Sequence, residues 1–473
     1  MSQTITIDPV TRLEGHGKIT IQLNGQGQVE DAHFHVTQVR GFEKFSEGRP
    51  FYEMPSLMAR ICGICPVSHL VASAKACEAI MSVRIPHTAA QLRRMLNLAQ
   101  MVQSHALSFF YLASPDLLLG MESDAKARHI FGVVAAKPQL GRAGIALRRF
   151  GQHIIELLGN KRIHPGWVVP GGVTEPLAPA KRDEILAMIP EAYANIALAL
   201  ASYKQIADTF KAEIDVFANF PSNYLGLINE DESVEFTDGA LRLIGPTGET
   251  IEDGITAARF SEVIGEAVEP YSYTKFAYYK PLGYPEGSYR VGPLARLNIA
   301  KSMGTPLADK ELAEFKQLAA GPVQSSFHYH HARLIDILYG IEKIEQILTD
   351  PLILDKHVRA IAGVNRLEGA GQAEAPRGTL MHHYKVDENG LITWANLVIA
   401  TGQNNNAMNK GVLQAAKEYV KDGKFTEGAL NRVEAVIRTF DPCLSCSTHA
   451  FGQMPLVLTL LNSDGEQVDQ LIR

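Results

Sequence analysis

Two cysteine pairs, far apart in the chain, constrain the fold more than anything else in the sequence. The first stands in Arg60-Ile61-Cys62-Gly63-Ile64-Cys65-Pro66, the second in Asp441-Pro442-Cys443-Leu444-Ser445-Cys446-Ser447-Thr448-His449. One other cysteine exists, Cys77. A C-x-x-C sets two sulfurs close enough to chelate one ion, and two such pairs most often make tetrahedral structural zinc. An iron–sulfur cluster or a rubredoxin-like iron is compatible with the same spacing. Cys62 and Cys443 are 381 residues apart, whereas zinc ribbons close over about 20. The second pair also runs on to His449 and lies near the C-terminus. A fold that uses both pairs at once must bring its two ends together at its centre.

The rest of the chain is ordinary globular material. Its 473 residues are 46% hydrophobic and 20% charged, enough to bury a large core. A net charge of -6 offers no basic footprint for nucleic acid or an anionic membrane surface. No uncharged apolar run reaches the roughly 18 residues that spanning a membrane needs. The opening MSQTITIDPV lacks a basic region followed by an apolar stretch, so no secretory signal is expected. Few cysteines, held in C-x-x-C pairs, point to a reducing compartment, and the cytoplasm is expected.

Apolar and polar residues alternate over 3–39 around Asn24-Gly25, which predicts a hairpin. Helical spacing predicts helices over 53–81, 88–113, 126–159 (with one interruption), 181–215, 309–320, 328–349, 407–421 and 428–438. A second hairpin is predicted over 379–401, turning at Glu388-Asn389-Gly390. Residues 219–300 are rich in Gly, Pro and aromatics with short strand-like pieces, and give the weakest reading. The expected fold class is therefore mostly α with peripheral β hairpins (α+β). It is a long-helix bundle with the metal site buried where the N- and C-terminal motifs meet.

Five ordered words span nearly the whole chain: Thr11 to His16 (TRLEGH), Arg40 to Glu43 (RGFE), Arg60 to Pro66, Ala375 to Gly378 (APRG), and Asp441 to His449. On these words the chain is similar to the large subunit of Ni–Fe hydrogenases. The run RGFEKFSEGRPFYEMP most resembles the cytoplasmic bidirectional, NAD-linked members. A related subunit of respiratory complex I shares this ancestry but lacks the four metal cysteines.

The resemblance implies reversible cleavage of H2 to two protons and two electrons. It implies nickel on all four sulfurs and an iron carrying carbon monoxide and two cyanides. Cys62 and Cys443 would be terminal nickel ligands, and Cys65 and Cys446 would bridge the two metals. Thiolates and cyanides together outweigh the charge of two divalent metals, so buried donors are needed. Arg377, held by Pro376 and Gly378, suits this with its fixed guanidinium fork. Thr401 matches a donor to the other cyanide, although Ala400 stands where the family usually has proline. The released proton needs a nearby base. By resemblance that is the Cys443 thiolate and then Glu14; without it, Glu14 reads as a capping or salt-bridge residue beside Arg12. Asp116 and Asp441 match acidic residues near the metals, expected to partner Arg377. Glu43 and His449, with a backbone carbonyl near Leu397, match a second site that usually holds magnesium. A histidine is unusual for that ion, so the metal there is left open.

The chain end matches a maturation step. Residues 1–449 would form one interlocked catalytic unit, and 450–473 an extension removed by a nickel-dependent endopeptidase after a maturation chaperone has acted. Beyond the four site cysteines only Cys77 remains, so the chain holds no cysteine-ligated iron–sulfur relay of its own. An iron–sulfur small subunit is implied, and diaphorase subunits for NAD. Two rivals stand beside this reading: a non-catalytic protein with a structural Zn(Cys)4 site, and an H2-sensing or assembly relative with little turnover.

Other features read more plainly. Cys77 is expected as a small buried hydrophobe. His328, His330 and His331 begin a helical segment and are expected to pack. His33 and His35 share one strand face and are expected to be structural. Spacing alone leaves open whether Glu53, nine residues before Cys62, approaches the metal. Gly245-Pro246-Thr247-Gly248 lacks a nucleotide-binding fingerprint and reads as a turn.

Overall fold

The computed structural model describes residues 3–421, 424–449, 457–461 and 467–472. The predicted first hairpin is β2 (Gly17–Leu23) and β3 (Val29–Val36), with β1 (Gln3–Ile7) added on the outer side of β2. Its turn forms because the Asn24 side-chain oxygen accepts the N–H groups of Gln26 and Gln28. Ile19, Ile21 and Leu23 point into the core while Lys18, Thr20 and Gln22 do not, the period-2 pattern of a half-buried strand.

The frame is a helical bundle. Its members are α2 (His87–Ala106), α3 (Pro138–Gly159), α4 (Pro179–Ala207) and α5 (Tyr329–Thr349), which follow α1 (Pro66–Met81) in the chain. α2 and α4 each pack against both α3 and α5. α2 is buried on every side from Met95 to Ala106, as expected of a central helix. It continues as a π-helical stretch, Leu107–Ala113. Among the described residues α4 is the one helix long and apolar enough to cross a membrane. It carries Glu191, and its Ile185, Ile189, Ile196 and Leu200 are packed into the bundle.

The first cysteine pair lies in the loop that breaks the predicted 53–81 helix into Met54–Ala59 and α1. α1 packs beneath the sheet β4 (Glu368–Ala375), β5 (Gly378–Val386), β6 (Ile392–Val398). Only glycine allows so close an approach: a Cβ on Gly371 would lie 2.2 Å from the Ala72 carbonyl oxygen. β5 and β6 are the predicted second hairpin, and β4 is an additional strand that sequence reading missed. The 219–300 region forms a four-stranded sheet from Asn223–Ile228, Ala240–Ile244, Thr250–Ile255 and Tyr289–Arg290. Its Tyr289–Arg290 strand runs parallel to Asn223–Ile228.

α6 (Asn405–Tyr419) and α7 (Glu427–Phe440) pack together, and α6 also packs on β3. That contact draws the C-terminal motif toward the N-terminal sheet. One hydrophobic cluster runs from Val10 to Cys446. The fold is thus the expected α-rich bundle with small sheets at its periphery. Past the last motif, Val457–Leu461 pairs antiparallel with Gln467–Ile472. The expected cleavage junction reaches Ala450, which lies outside the described residues.

Candidate metal centre

The sulfurs of Cys62, Cys65, Cys443 and Cys446 all lie within 4.8 Å of one another, and all four residues are buried. Cys62 Sγ is 3.3 Å from Cys443 Sγ, and Cys65 Sγ is 3.4 Å from Cys446 Sγ, so each pair meets the other. The first loop is shaped around its own sulfur: Cys62 Sγ accepts the backbone N–H of Ile64 at 3.2 Å and of Cys65 at 3.4 Å. Cys65 immediately precedes α1, whose Pro66 and Val67 begin the helix. Cys443 caps the short helix Leu444–Ser447, which carries Cys446 inward. Hydrogen bonding from Cys443 lowers the Cys62 and Cys65 thiols, Cys65 to about 6. Burial pushes Cys443 and Cys446 up. Without a cation the four cannot all ionise, so as thiolates they need metal charge at their centre. A buried all-sulfur donor set suits soft, thiophilic metals such as nickel and iron.

Glu14 joins the two ends of the chain. It forms a parallel bridge with Cys443, and its carbonyl accepts the Leu444 N–H at 3.1 Å. Its carboxylate Oε2 accepts from Cys443 Sγ at 3.1 Å and from the Ser445 N–H at 3.1 Å, while Oε1 accepts the Ser445 hydroxyl. It therefore caps the Leu444–Ser447 helix and touches a metal-site sulfur at once. The next residue must be glycine: Gly15 has φ +90°, and a Cβ there would lie 2.6 Å from Leu444 Cβ.

Arg377 sits at the tip of the β4–β5 hairpin, where Ala375 pairs with Gly378 across Pro376-Arg377. Its Nη2 donates to Asp441 Oδ1 at 3.0 Å, its Nη1 to Ser104 Oγ at 3.4 Å, and its Nε to the Asp441 carbonyl. Burial works against its charge, but Asp441 and the sulfurs of Cys443, Cys65 and Cys62 outweigh burial and hold its pKa above the ordinary value. Asp441 ends α7 in a left-handed conformation, φ 54°, and Pro442 prevents the helix from resuming. Thr401 lies in the short helix Ala400–Gln403, and its hydroxyl accepts the Cys443 N–H at 2.9 Å. A small cavity opens between Cys65, Cys443 and Cys446 on one side and Pro376, Arg377 and Thr401 on the other.

One expectation is corrected. Asp116 is not a partner of Arg377. It receives Arg12 at 2.5 Å, Arg438 at 2.8 Å and Asn431 at 3.0 Å. Burial alone would raise its pKa, but Arg438 and Arg12 outweigh burial and hold it low. Its register on the helix after the π-stretch turns it toward the base of α7. Around the expected second metal site Glu43 has protein partners. Lys275 Nζ donates to both Glu43 oxygens, at 2.8 and 3.0 Å, and the Leu397 N–H donates to Glu43 Oε1 at 2.8 Å. Burial opposes the Lys275 charge, but Glu266 and Glu43 outweigh it and raise its pKa. His449 is buried, and among the described residues neither ring nitrogen has a hydrogen-bond partner. The Glu43 oxygens serve an ammonium and an amide, while the expected ligand His449 stays without a partner among the described residues.

Sequence reasoning missed His69, which lines the cavity one helical turn beyond Cys65 and meets His382 at 3.1 Å. The Cys65-x-x-x-His69 spacing was the available signal. It also missed His164, whose Nε2 lies 3.0 Å from the Cys62 carbonyl, and Ser445 and Lys275. Glu53 is exposed. Cys77 is buried, its thiol donating to the Phe51 carbonyl at 3.1 Å. His328, His330 and His331 are buried among aromatic rings, as expected. His35 bonds Thr20 at 2.7 Å and the Tyr271 carbonyl at 3.0 Å, and both His33 and His35 lie against the Tyr271 ring. Gly245–Gly248 is a turn between two strands.

Known proteins share this arrangement. A nickel-dependent hydrogenase profile matches residues 40–127 and 144–449, and a HoxL-like profile matches residues 4–39. The chain is 40% identical to the NAD-reducing hydrogenase HoxS subunit beta of Cupriavidus necator, over 100% of both chains. It is 39% identical to a chain of the F420-non-reducing hydrogenase of Methanothermobacter thermautotrophicus, over 99% of both. The crystal structure of an NAD+-reducing [NiFe]-hydrogenase in the H2-reduced state superposes with a TM-score of 0.92 at 42% identity, covering 94% of this chain and 99% of that one. With four buried cysteine sulfurs at one point and these matches along its length, the chain belongs to the nickel-dependent hydrogenase family.

Proposed function

We propose that the chain is the catalytic large subunit of a Ni–Fe hydrogenase that cleaves H2 reversibly and passes electrons toward NAD through partner subunits. The observation that carries this is the Glu14 carboxylate 3.1 Å from Cys443 Sγ, at the edge of a closed four-sulfur site beneath Arg377. When bound, nickel and an iron carrying carbon monoxide and two cyanides supply the redox chemistry of heterolytic H2 cleavage. The sulfurs of Cys62, Cys65, Cys443 and Cys446 would hold these metals.

The chain's own groups then handle the proton and the surplus charge. Cys443 Sγ takes the proton and passes it to Glu14 Oε2 along their existing hydrogen bond. Ser445 fixes that carboxylate through its N–H and hydroxyl. Arg377 uses three of its five N–H groups on Asp441 and Ser104, leaving two for an anion in the cavity. Thr401 accepts the Cys443 N–H and keeps its own O–H to donate. Asp441 orients Arg377. Glu43 and His449 are proposed to hold a second metal, its identity open, with Lys275 beside Glu43.

With only Cys77 left outside the site, electrons require an iron–sulfur small subunit, and NAD requires diaphorase subunits. A cytoplasmic location fits a chain that delivers electrons to a nicotinamide. Residues 450–473 are proposed to be removed after His449, with a maturation chaperone and an endopeptidase acting on the loaded precursor. The test is an infrared spectrum of protein purified from cells able to mature it, paired with H2-dependent reduction of an artificial acceptor. One carbonyl band, two cyanide bands and turnover are expected. Zinc without nickel, and no bands, in tail-free protein would return the four cysteines to a structural role.

A further inference from the structure

One wall of the sulfur-lined cavity continues into a row of buried polar side chains. α1 carries His69 and Ser73, four residues apart, and β5 carries His382 and Tyr384, two apart. Four residues of helix rise about 6 Å and two residues of strand about 6.6 Å, so the two elements mesh these side chains in one line. His69 Nδ1 lies 3.1 Å from His382 Nε2, and His382 Nδ1 lies 2.6 Å from the Tyr384 hydroxyl. Ser73 Oγ, 2.9 Å away, fills the other side of that hydroxyl. His69 is 1% exposed and the other three 0%. Of the four, His69 is the one that lines the cavity, beside Cys65 and Cys446.

Apolar side chains would fill the same space without the cost of burying polar groups. What the row adds is proton order. Burial, and after it His69 and His449, hold His382 far below its ordinary value, so its ring is neutral and carries one proton. Burial raises Tyr384 well above its ordinary value, so the phenol keeps its proton. With a single proton on His382, the hydrogen bonds at its two nitrogens must run in the same direction. A Tyr384 O–H donated to Nδ1 obliges Nε2–H to donate to His69 Nδ1. The proton of His69 then stands on Nε2, the nitrogen that His382 does not occupy. Beside thiolate sulfurs an N–H is the favourable group to present and a lone pair is not.

We propose that Tyr384 and His382 are positioning residues of the metal centre: the Tyr384 hydroxyl, acting through His382, holds the His69 proton on the cavity side, where the ring is a hydrogen-bond donor to the anionic site. The proposal rests on the hydrogenase reading, which makes that site anionic.

The experiment uses matured holoenzyme of wild type, Tyr384→Phe, His69→Leu and the double variant. Nickel and iron content, melting temperature, the infrared carbonyl and cyanide bands and H2-dependent reduction of an artificial acceptor are measured on each. Tyr384→Phe removes one hydroxyl and keeps the ring, so it is expected to load nickel and iron as wild type does. Its bands are expected to be displaced, because they follow the hydrogen bonds made to the site, and its turnover per nickel to fall about 10-fold. His69→Leu should displace the same bands in the same sense. Adding Tyr384→Phe to it should displace them no further, since the hydroxyl acts through the ring. Bands of Tyr384→Phe that match wild type overturn the proposal, even with a lower melting temperature, because the row is then structural. Displacements that add in the double variant overturn it too, because Tyr384 then acts by another route. Should Tyr384→Phe not fold, Ser73→Ala removes the other hydroxyl and keeps both rings. A smaller displacement in the same sense is expected of it, and none overturns the proposal. Wild type that holds nickel and iron but lacks the bands overturns the hydrogenase reading and this proposal with it. Bands present in wild type and unmoved in the variants overturn this proposal alone.

Discussion

Glu14 Oε2 and Cys443 Sγ lie 3.1 Å apart although 429 residues separate them in the chain. The contact is held from both sides, by the backbone bridge between the two residues and by Ser445 on the carboxylate. A base fixed this tightly against a sulfur can move a proton without reorganising its surroundings.

Glu14→Gln keeps the shape and the cap to the Ser445 N–H but removes the base. Turnover is expected to fall on the order of 100-fold or more. Nickel, iron and the infrared bands should remain. Acceptor-linked H2 oxidation beside metal analysis checks this, and unchanged turnover would remove Glu14 from the relay.

Cys446 Sγ stands 2.8 Å from Cys443 Sγ and 3.4 Å from Cys65 Sγ, so it is shared between the two pairs. Replacing it with serine substitutes a harder ligand for a thiolate. Assembly is expected to stop, with protein that lacks bound nickel by elemental analysis. A fully loaded, active Cys446→Ser enzyme would show the bridging assignment to be wrong.

Asp116 serves Arg12, Arg438 and Asn431, and not the metal centre. Asp116→Ala removes a carboxylate shared by Arg12, Arg438 and Arg128, and because Arg438 keeps Glu434 the cost is below the roughly 3–5 kcal/mol of a fully unpaired buried charge. The melting temperature should drop. Protein that still folds and loads metal should turn over near the wild-type rate per nickel. A large loss per nickel with unchanged stability would restore a catalytic role.

Burial lowers His105 and His328 to about 4. In the unfolded chain histidine titrates near ~6.5, so below that pH the unfolded state binds more protons. The stability these residues contribute is complete above about pH 6.5 and declines as pH falls toward about 4, by roughly 1.4 kcal/mol per unit for each. Melting temperature should therefore decrease steadily from neutral pH into that window. His328→Gln should flatten the decline, and a profile identical to wild type would show that His328 is not buried as a neutral ring.

The legible parts of this protein are local. Chelate spacing lies within four residues, and helical periodicity repeats within a turn, so the cysteine motifs and the long helices α2 to α5 could be read from the chain. The second hairpin was equally visible, because its turn chemistry lies at Asp387 to Gly390. β4 and the sheet around Asn223–Ile228 were not. Gly369 and Gly371 carry no apolar signature, and the Tyr289–Asn223 pairing joins residues distant in sequence.

Charge partners were decided by tertiary structure. The sequence by itself showed two chelating cysteine pairs and, through its ordered motifs, which family they resemble, and that resemblance placed Glu14 and Arg377 with them. Only the fold decided that Asp441 and not Asp116 holds Arg377, and that Lys275 pairs with Glu43. A carboxylate's partner is whichever donor the packing brings within about 3 Å. That distance is set by helices and strands from opposite ends of the chain, not by neighbours in sequence.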